Sequence, residues 1–335
     1  MPEVSVVIPT RDRSRLLALT LRSALWQRGV DLEVVVVDDG STDDTAAMVA
    51  ALADPRLRLL RHDHPQGVSA ARNRGIAEAG GAWVAFLDDD DLWAPDKLAR
   101  QLEAAHQTGR TWVYTGEVSM DERLRILDGR PPAPPEQVLE RLVRHNAVPA
   151  GASNVVVQAD TLARAGAFDT RLRNNEDWDL WIRLARLGPP AWVCRPLVAL
   201  RVHPGNASQN MDRMLQELDV IERRHRIPVD RAAHYRWAAW SSLQAGRRRA
   251  ALRYYAHAVR IGDLSSIARA VVTLTHPAVA QRRAAHPVRP GSAEQVWIAE
   301  AQSWLDPLRS WAEPGTPPTR AGCPTDEVTS QEPPA

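Results

Sequence analysis

Short apolar runs alternate with segments of helical period along the first part of the chain. Val4-Ser5-Val6-Val7-Ile8 reads as a strand that Pro9 ends, with Thr10-Arg11-Asp12-Arg13 as the loop behind it. Leu16, Leu17, Leu21, Ala24 and Leu25 then fall on roughly one face of a helix. Glu33 to Val37 is a second strand, whose nearly unbroken valines predict burial on both faces, as in a parallel sheet. Asp38-Asp39-Gly40-Ser41 breaks it, and Thr42 to Thr45 opens another helix. A short strand over Leu57 to Leu60, a helix over Gly67 to Ala79 and a strand over Trp83 to Leu87 continue the series. Strand alternating with helix predicts a doubly wound α/β sheet. Ligands of such sheets sit at the carboxyl ends of the strands. Thr10, Asp38, Asp39 and Asp88 to Asp90 all fall at such ends.

The pattern from Trp112 to Leu200 is less regular. Arg130 to Glu136 is a proline-rich loop, Asn154 to Val157 and Trp192 to Arg201 read as strands, and Glu176 to Leu187 as a helix. From Met211 to Leu274 the chain reads as helical. Trp237, Trp240, Leu243, Ala251, Tyr254, Tyr255 and Ala258 repeat at helical spacing around Gly246, resembling a single tetratricopeptide-type hairpin. One copy cannot build a solenoid, so this is a helical cap or docking unit. From Glu313 onward there is no Leu, Ile, Phe, Tyr, Trp or Met, and proline is frequent. Such a tail cannot offset its ordering entropy by burial and is expected to be disordered.

Composition removes several classes. A net charge of +1, from 42 basic and 41 acidic residues, supplies no global field for nucleic acid. Arginines cluster locally at Arg223, Arg224 and Arg226, at Arg247 to Arg249, and at Arg282 and Arg283. They read as solvated helix faces or as docking points for an anionic membrane surface or a phosphorylated acceptor. Two cysteines, Cys194 and Cys323, are too few for a disulfide framework or an all-cysteine zinc site, and a reducing cytoplasm fits them. The first apolar run is short and has no basic region before it, so no signal peptide is expected. No apolar run approaches the length of a membrane span.

The chemistry gathers on carboxylates. Asp88-Asp89-Asp90-Asp91 follows the fourth strand directly. Adjacent like charges repel, and packing alone does not call for them. A hard divalent cation, Mg²⁺ or Mn²⁺, shared with a diphosphate accounts for such a run. A solvated turn capping the helix near Pro95 accounts for one of them, Asp91. Val37-Asp38-Asp39-Gly40-Ser41 suits either a nucleobase or ribose contact, or a turn and helix cap. Asp177 is either a general base or a helix N-terminal acid favoured by the macrodipole.

Together these pieces resemble the family 2 glycosyltransferases of the GT-A fold, over about residues 3 to 205. The resemblance rests on Val4 to Thr10, on Val37-Asp38-Asp39-Gly40-Ser41-Thr42-Asp43, on Ala71-Arg72-Asn73-Arg74-Gly75-Ile76, and on Phe86-Leu87-Asp88-Asp89-Asp90-Asp91-Leu92-Trp93. Gly166-Ala167-Phe168-Asp169 and Asn175-Glu176-Asp177-Trp178-Asp179-Leu180-Trp181 extend it. It implies an α/β fold with a Rossmann-like mixed sheet flanked by helices and a C-terminal helical extension. Residues 1–110 would bind the nucleotide-sugar and 111–210 the acceptor. Residues 211–275 would form the helical extension, and 276–335 would be mostly irregular.

The resemblance also implies roles. Pro9, Thr10 and Arg11 would sit beside the nucleotide, Asp39 would meet the base, usually uracil, and Arg72 would hold base or phosphates. Asp88 and Asp89 would lie near ribose and metal, with Asp90 the main ligand for Mn²⁺ or Mg²⁺. Asp177 would be the general base of an inverting transfer, with Glu176 orienting it or binding acceptor. Trp178 would contact the acceptor, and Trp181 would be core. His203 resembles a third metal ligand of some members, although a lone histidine is more often a surface or packed residue. The implied donor is a UDP-sugar. The acceptor is a glycan, a lipid-linked sugar or a small molecule, met in the cytoplasm or at the inner membrane face.

Processive relatives carry Gln-x-x-Arg-Trp. Here Arg236-Trp237 follows Ala233, which points to single-sugar transfer. Two other readings stand beside this one. A nucleotidyltransferase would open with a glycine-rich loop where this chain has Pro9-Thr10-Arg11-Asp12. A decayed scaffold would have lost aspartates that this chain keeps.

Overall fold

The computed structural model describes residues 1–203, 211–276 and 293–312. β1 (Val4–Thr10) lies between β2 (Leu32–Asp38) and β4 (Trp83–Phe86), with β3 (Leu57–Arg61) beyond β2, all parallel. Every residue of β1 is buried, because successive side chains enter opposite layers. Val4, Val6 and Ile8, with Val34 and Val36, meet Leu17 and Leu21 of α1 (Ser14–Leu25). Val49 of α2 (Thr45–Ala51) and Leu98 and Leu102 of α4 (Lys97–Thr108) complete that layer. On the other face Val35 and Val37 meet Ala71 of α3 (Val68–Glu78), and Val7 and Phe86 join Trp178 and Trp181 of α7 (Glu176–Leu187). Gly75 lets α3 lie flat on the sheet, since a Cβ there would stand 2.3 Å from Val7 Cγ1.

The first strand does not end at Pro9, as the sequence suggested. It runs to Thr10, with Pro9 opposite Val37. Val7 O accepts from Leu87 N on the β4 side, so Pro9, two residues on, faces the same side. β4 ends at Phe86, and the missing proline N–H has no partner to lose.

Beyond β4 the sheet continues through β8 (Val156–Gln158), β6 (Trp112–Met120), β9 (Ala191–Arg201) and β5 (Leu92–Trp93), and β7 (Ile126–Arg130) branches from β6. β8 is antiparallel to both β4 and β6, whereas β6 and β9 are parallel. The result is a mixed α/β sheet flanked by helices. α5 (Pro135–Leu142), α6 (Ala159–Ala165) and α7 cover one face of this second half.

α8 (Met211–His225) packs Leu218 and Ile221 into that same core, so the C-terminal helices begin as part of the domain. α9 (Arg231–Gln244), α10 (Arg248–Arg260) and α11 (Ser265–Thr275) follow, around a smaller core of Ala238, Ala239, Leu243, Ala251, Tyr254 and Tyr255. Arg224 pairs with Asp169, and Arg223 Nε donates to Asp219 O. Arg282 and Arg283 lie outside the described residues.

The segment 276–335, read above as mostly irregular, contains α12 (Ala293–Ala312). Trp297, Ala301, Trp304, Leu305 and Leu308 pack on Leu19, Leu92, Val118 and Leu197. Trp297 Nε1 donates to Glu117 O at 2.9 Å and Trp304 Nε1 to Pro196 O at 2.9 Å. Those five residues keep helical spacing, but Pro307 inside the helix hides the pattern in the sequence. The proline-rich tail after Ala312 lies outside the described residues. Among the described residues no helix is long and apolar enough to cross a membrane.

Candidate active site

The carboxyl ends of β1, β2 and β4 meet the amino end of α7. The four aspartates after β4 are not equivalent. Asp91 faces inward: its Oδ2 accepts from Ser153 Oγ at 2.6 Å and its Oδ1 from Arg201 N at 2.9 Å. It pins the acidic loop to β9 and to the short 3₁₀ turn Gly151–Asn154. It does not cap the following helix, whose N-cap residue is Asp96. Thr20 Oγ1 donates to the carbonyls of Asp89 and Asp91, at 3.1 and 2.9 Å.

Asp89 and Asp90 share one cation. Arg13 Nη1 is 2.9 Å from Asp89 Oδ1 and 2.8 Å from Asp90 Oδ2. Thr10 Oγ1 donates to Asp89 Oδ2 at 2.7 Å. Even so, burial pushes the Asp89 carboxyl up to about 6, with the Asp90 charge adding to it against the pull of Arg13. Burial, then Asp90 and Asp88, likewise raises Asp91. Of the two arginines in the loop after β1, Arg13 reaches these acids. Arg11, expected beside the nucleotide, has an exposed side chain 3.5 Å from Asp12.

His203 Nε2 lies 2.9 Å from Asp90 Oδ2. A carboxylate oxygen and an imidazole nitrogen thus converge beside a loop with excess negative charge. That donor set and that electrostatic need fit Mn²⁺ or Mg²⁺. Among the described residues no group of three His, Cys, Asp or Glu is arranged to hold a cation unaided. The pair therefore suits an ion that also takes oxygens from a ligand.

Asp39 is 5% exposed and organises its own surroundings. His62 Nδ1 lies 2.8 Å from Oδ1, Gln66 N donates to Oδ1 at 2.8 Å, and Gly67 N donates to Oδ2 at 2.7 Å. Burial works to raise its pKa, but these bonds outweigh burial and hold the carboxyl below its ordinary value. Of about four acceptor positions on a carboxylate, these bonds fill three. Gly67 has φ +99°, and the Arg173 guanidinium packs where its side chain would be. A guanidinium from the second half of the sheet thus meets the end of the first.

Arg72 joins the two halves. It is 3% exposed. Its Nη2 donates to Asp88 Oδ1 at 2.6 Å, its Nη1 donates to Glu176 Oε1 at 2.9 Å, and its guanidinium lies over the Phe168 ring at 5.1 Å. Arg72 Nε and Glu176 Oε2 are buried and have no hydrogen-bond partner among the described residues. Asp177 is the next residue along. Its Oδ2 accepts from Asn146 Nδ2 at 3.0 Å and its Oδ1 from Trp178 N at 2.7 Å. Burial first, and then the Glu176 charge, push its carboxyl up to about 7. Asp177 is thus a partly exposed carboxyl whose pKa is raised towards neutrality and whose two oxygens are each held by one N–H group, a group able to exchange a proton near neutral pH.

Two features were not legible in the motifs. Glu217 of α8 accepts from the backbone N–H groups of Arg173, Asn174 and Asn175, at 2.9, 3.0 and 3.0 Å. It thereby fixes the loop that delivers Glu176 and Asp177. Ser153 donates to Asp91 and accepts from Asp88 N at 3.0 Å. Neither residue belongs to a run or spacing that marks it. Trp178, expected against the acceptor, is fully buried. Its Nε1 donates to Leu142 O at 2.8 Å, and His234 stacks on it at 5.4 Å. The ring belongs to the core, where i and i+3 spacing with Trp181 places both on one helix face. Trp181 is core as expected, stacked on Trp112.

Residues 5–153 match the sequence model of the family described as Glycosyl transferase family 2. Over 109 residues the chain is 46% identical to the succinoglycan biosynthesis protein ExoO of Rhizobium meliloti, covering 32% of this chain and 31% of that one. Over 183 residues it is 27% identical to the UDP-Glc:alpha-D-GlcNAc-diphosphoundecaprenol beta-1,3-glucosyltransferase WfgD of Escherichia coli, covering 55% of this chain and 70% of that one. The match spans about a third of the length of the first curated relatives. Among solved structures, the mannosyltransferase PcManGT from Pyrobaculum calidifontis, in complex with GDP-Man and Mn²⁺, superposes with a TM-score of 0.52. The identity is 22%, and 91% of this chain and 87% of that one are covered. At that identity the likeness is one of fold, the GT-A arrangement.

Proposed function

We propose that this chain, which over residues 5–153 belongs to glycosyl transferase family 2, moves a single sugar from a nucleoside-diphosphate sugar to an acceptor hydroxyl with inversion. The observation that carries the reading is Arg72. One buried guanidinium bonds both Asp88 of the acidic loop and Glu176 beside Asp177. Donor-side and acceptor-side groups are thereby tied at a fixed spacing.

In this reading the acceptor hydroxyl lies against Asp177. Asp177 takes its proton as the oxygen attacks the anomeric carbon, and the bond from that carbon to the diphosphate breaks. Asn146 holds Asp177 Oδ2, and the backbone N–H of Trp178 holds Oδ1. Arg72 keeps a positive charge nearby, which favours the ionised base. Asp90 and His203 would hold a divalent cation, which supplies positive charge to a diphosphate as it departs. Thr10 and Asp39 would meet the nucleotide. UDP is the nucleotide favoured, since WfgD is named for a UDP-glucose donor. The same name supports a lipid-linked diphosphate sugar as the acceptor class.

Transfer is tested by incubating the chain with UDP-glucose, UDP-N-acetylglucosamine or GDP-mannose, Mn²⁺, and a short-chain lipid-diphosphate N-acetylglucosamine. The expected result is one added sugar residue by mass from one of these donors, in the anomeric configuration opposite to the donor's by proton NMR. A product with retained configuration would sink the single-displacement reading.

A further inference from the structure

α11 is inverted relative to a surface helix of a globular protein. Its buried positions are polar, Ser266 and Thr273. Their hydroxyls are satisfied internally, Ser266 Oγ donating to Asp263 Oδ2 at 2.7 Å and Thr273 Oγ1 to Arg269 O at 2.8 Å. Ala270 and Val272 are partly buried against the small core, but the three larger exposed apolar side chains of the helix point to solvent. Ile267, Val271 and Leu274, spaced i, i+4 and i+7, form one stripe. Ile261 and Leu264 of the preceding turn join it, and the five are between 47% and 70% exposed. A contiguous apolar stripe left in water marks an interaction surface.

Charge identifies what covers it. The overall net charge is +1, yet residues 231–276 contain eight arginines and a single acid, Asp263. That acid is neutralised within the fold by Arg236 Nη1 at 2.8 Å and by the hydroxyls of Ser265 and Ser266. Arginines stand along the stripe. Exposed Arg260 adjoins Ile261, exposed Arg269 lies on α11 itself, and Arg248 donates to the carbonyls of Thr273 and Leu274 at the far end. Apolar side chains flanked by arginines, with no free acid, complement an anionic lipid surface.

We propose that α11 and the turn before it form a peripheral docking face for anionic phospholipid bilayers. Ile261, Leu264, Ile267, Val271 and Leu274 insert among the acyl chains, and Arg260 and Arg269 meet headgroup phosphates. The inference does not depend on the transferase reading, because none of these residues belongs to the candidate active site. It would bring the enzyme to a surface where a lipid-linked acceptor resides.

The test is co-sedimentation of the full chain with phosphatidylcholine vesicles containing about a third phosphatidylglycerol, at low salt. The wild type is expected to pellet at least about tenfold more tightly with these than with phosphatidylcholine alone. Ile267→Glu with Val271→Glu, and separately Arg260→Glu with Arg269→Glu, should each weaken binding by about tenfold or more. All four positions are exposed, so melting temperatures should not change. Asp177→Asn should pellet like the wild type, which separates this face from catalysis. Wild-type protein that stays in solution with anionic vesicles would overturn the proposal, as would variants that pellet unchanged. So would a wild-type dimer that the Ile267→Glu, Val271→Glu variant dissociates in the absence of vesicle binding, since the stripe would then be covered by a second copy.

Discussion

Asp177→Asn is expected to lower the single-turnover rate of transfer by about 10² to 10⁴-fold while leaving nucleotide affinity nearly unchanged. Asparagine keeps the size of the side chain, and its one carbonyl oxygen can still accept from the Trp178 N–H, so the helix start survives, while its NH2 replaces the oxygen that accepted from Asn146. What it lacks is a basic oxygen. The carboxyl is pushed up to about 7, by burial first and then by Glu176. A base works when deprotonated, so wild-type kcat/KM should rise about tenfold per pH unit below neutrality and level off above about 7. The asparagine variant should show no such limb. Stability follows the same shift with the opposite benefit. The folded state holds this proton at a pH where the unfolded chain has lost it. The contribution is therefore complete below the ordinary carboxylate range and lost as pH rises through about 7. Thermal melts should show the variant gaining on the wild type between pH 4 and 8. Wild-type turnover in the variant would remove Asp177 from the base role.

Arg72→Met is the second large effect. The guanidinium is buried between Asp88 and Glu176, and methionine fills much of its volume over the Phe168 ring. Two carboxylates then lose their common cation. Breaking a buried ion pair by removing one partner costs about 3–5 kcal/mol. The lower end applies here, because Asp88 is partly exposed and can turn to water. Chemical denaturation measures that loss. Activity should fall as well, and in a way a packing defect would not mimic. Arg72 holds the Asp177 carboxyl down against burial, so the alkaline plateau of kcat/KM should move to higher pH. Lysine should not restore the rate, since a single ammonium cannot span both carboxylates with the geometry of a guanidinium fork. A destabilised variant whose pH profile stays in place would refute the electrostatic coupling of the two half-sites.

What the sequence made legible follows physical rules that act locally. The valine runs of β1 and β2 could be placed because burial on both faces leaves no polar positions in a strand. α7 begins and ends at Glu176 and Leu187 as its period indicates. The acidic loop was conspicuous because four like charges need a reason. Other features depend on contacts that no spacing encodes. Pro9 would end the strand by the usual rule, but the neighbouring strand stops short, so the N–H that proline lacks is not needed there. Arg11 and Arg13 are equivalent in the sequence, and only the course of the loop directs Arg13 to Asp89 and Asp90. Trp178 adjoins Asp177, yet the helix turns its ring into the core while Asp177 stays partly exposed. Glu217 reaches the site from 42 residues beyond Asn175, through backbone bonds that leave no trace in a motif. α12 was masked by Pro307 and by its distance in sequence from β7 and β9, on which it packs.

The measurement closest to the central claim is the melting temperature of the full chain with UDP, dTDP, GDP and CDP, each in Mn²⁺ and in EDTA. A ligand that binds only the folded state stabilises it by about 2.7 kcal/mol at a hundred times its Kd. The account predicts that UDP raises the melting temperature in Mn²⁺, that EDTA abolishes most of the shift, and that Asp90→Ala abolishes the rest. Stabilisation by no nucleotide, or by UDP equally in EDTA and in the Asp90→Ala variant, would contradict a donor site built on the acidic loop.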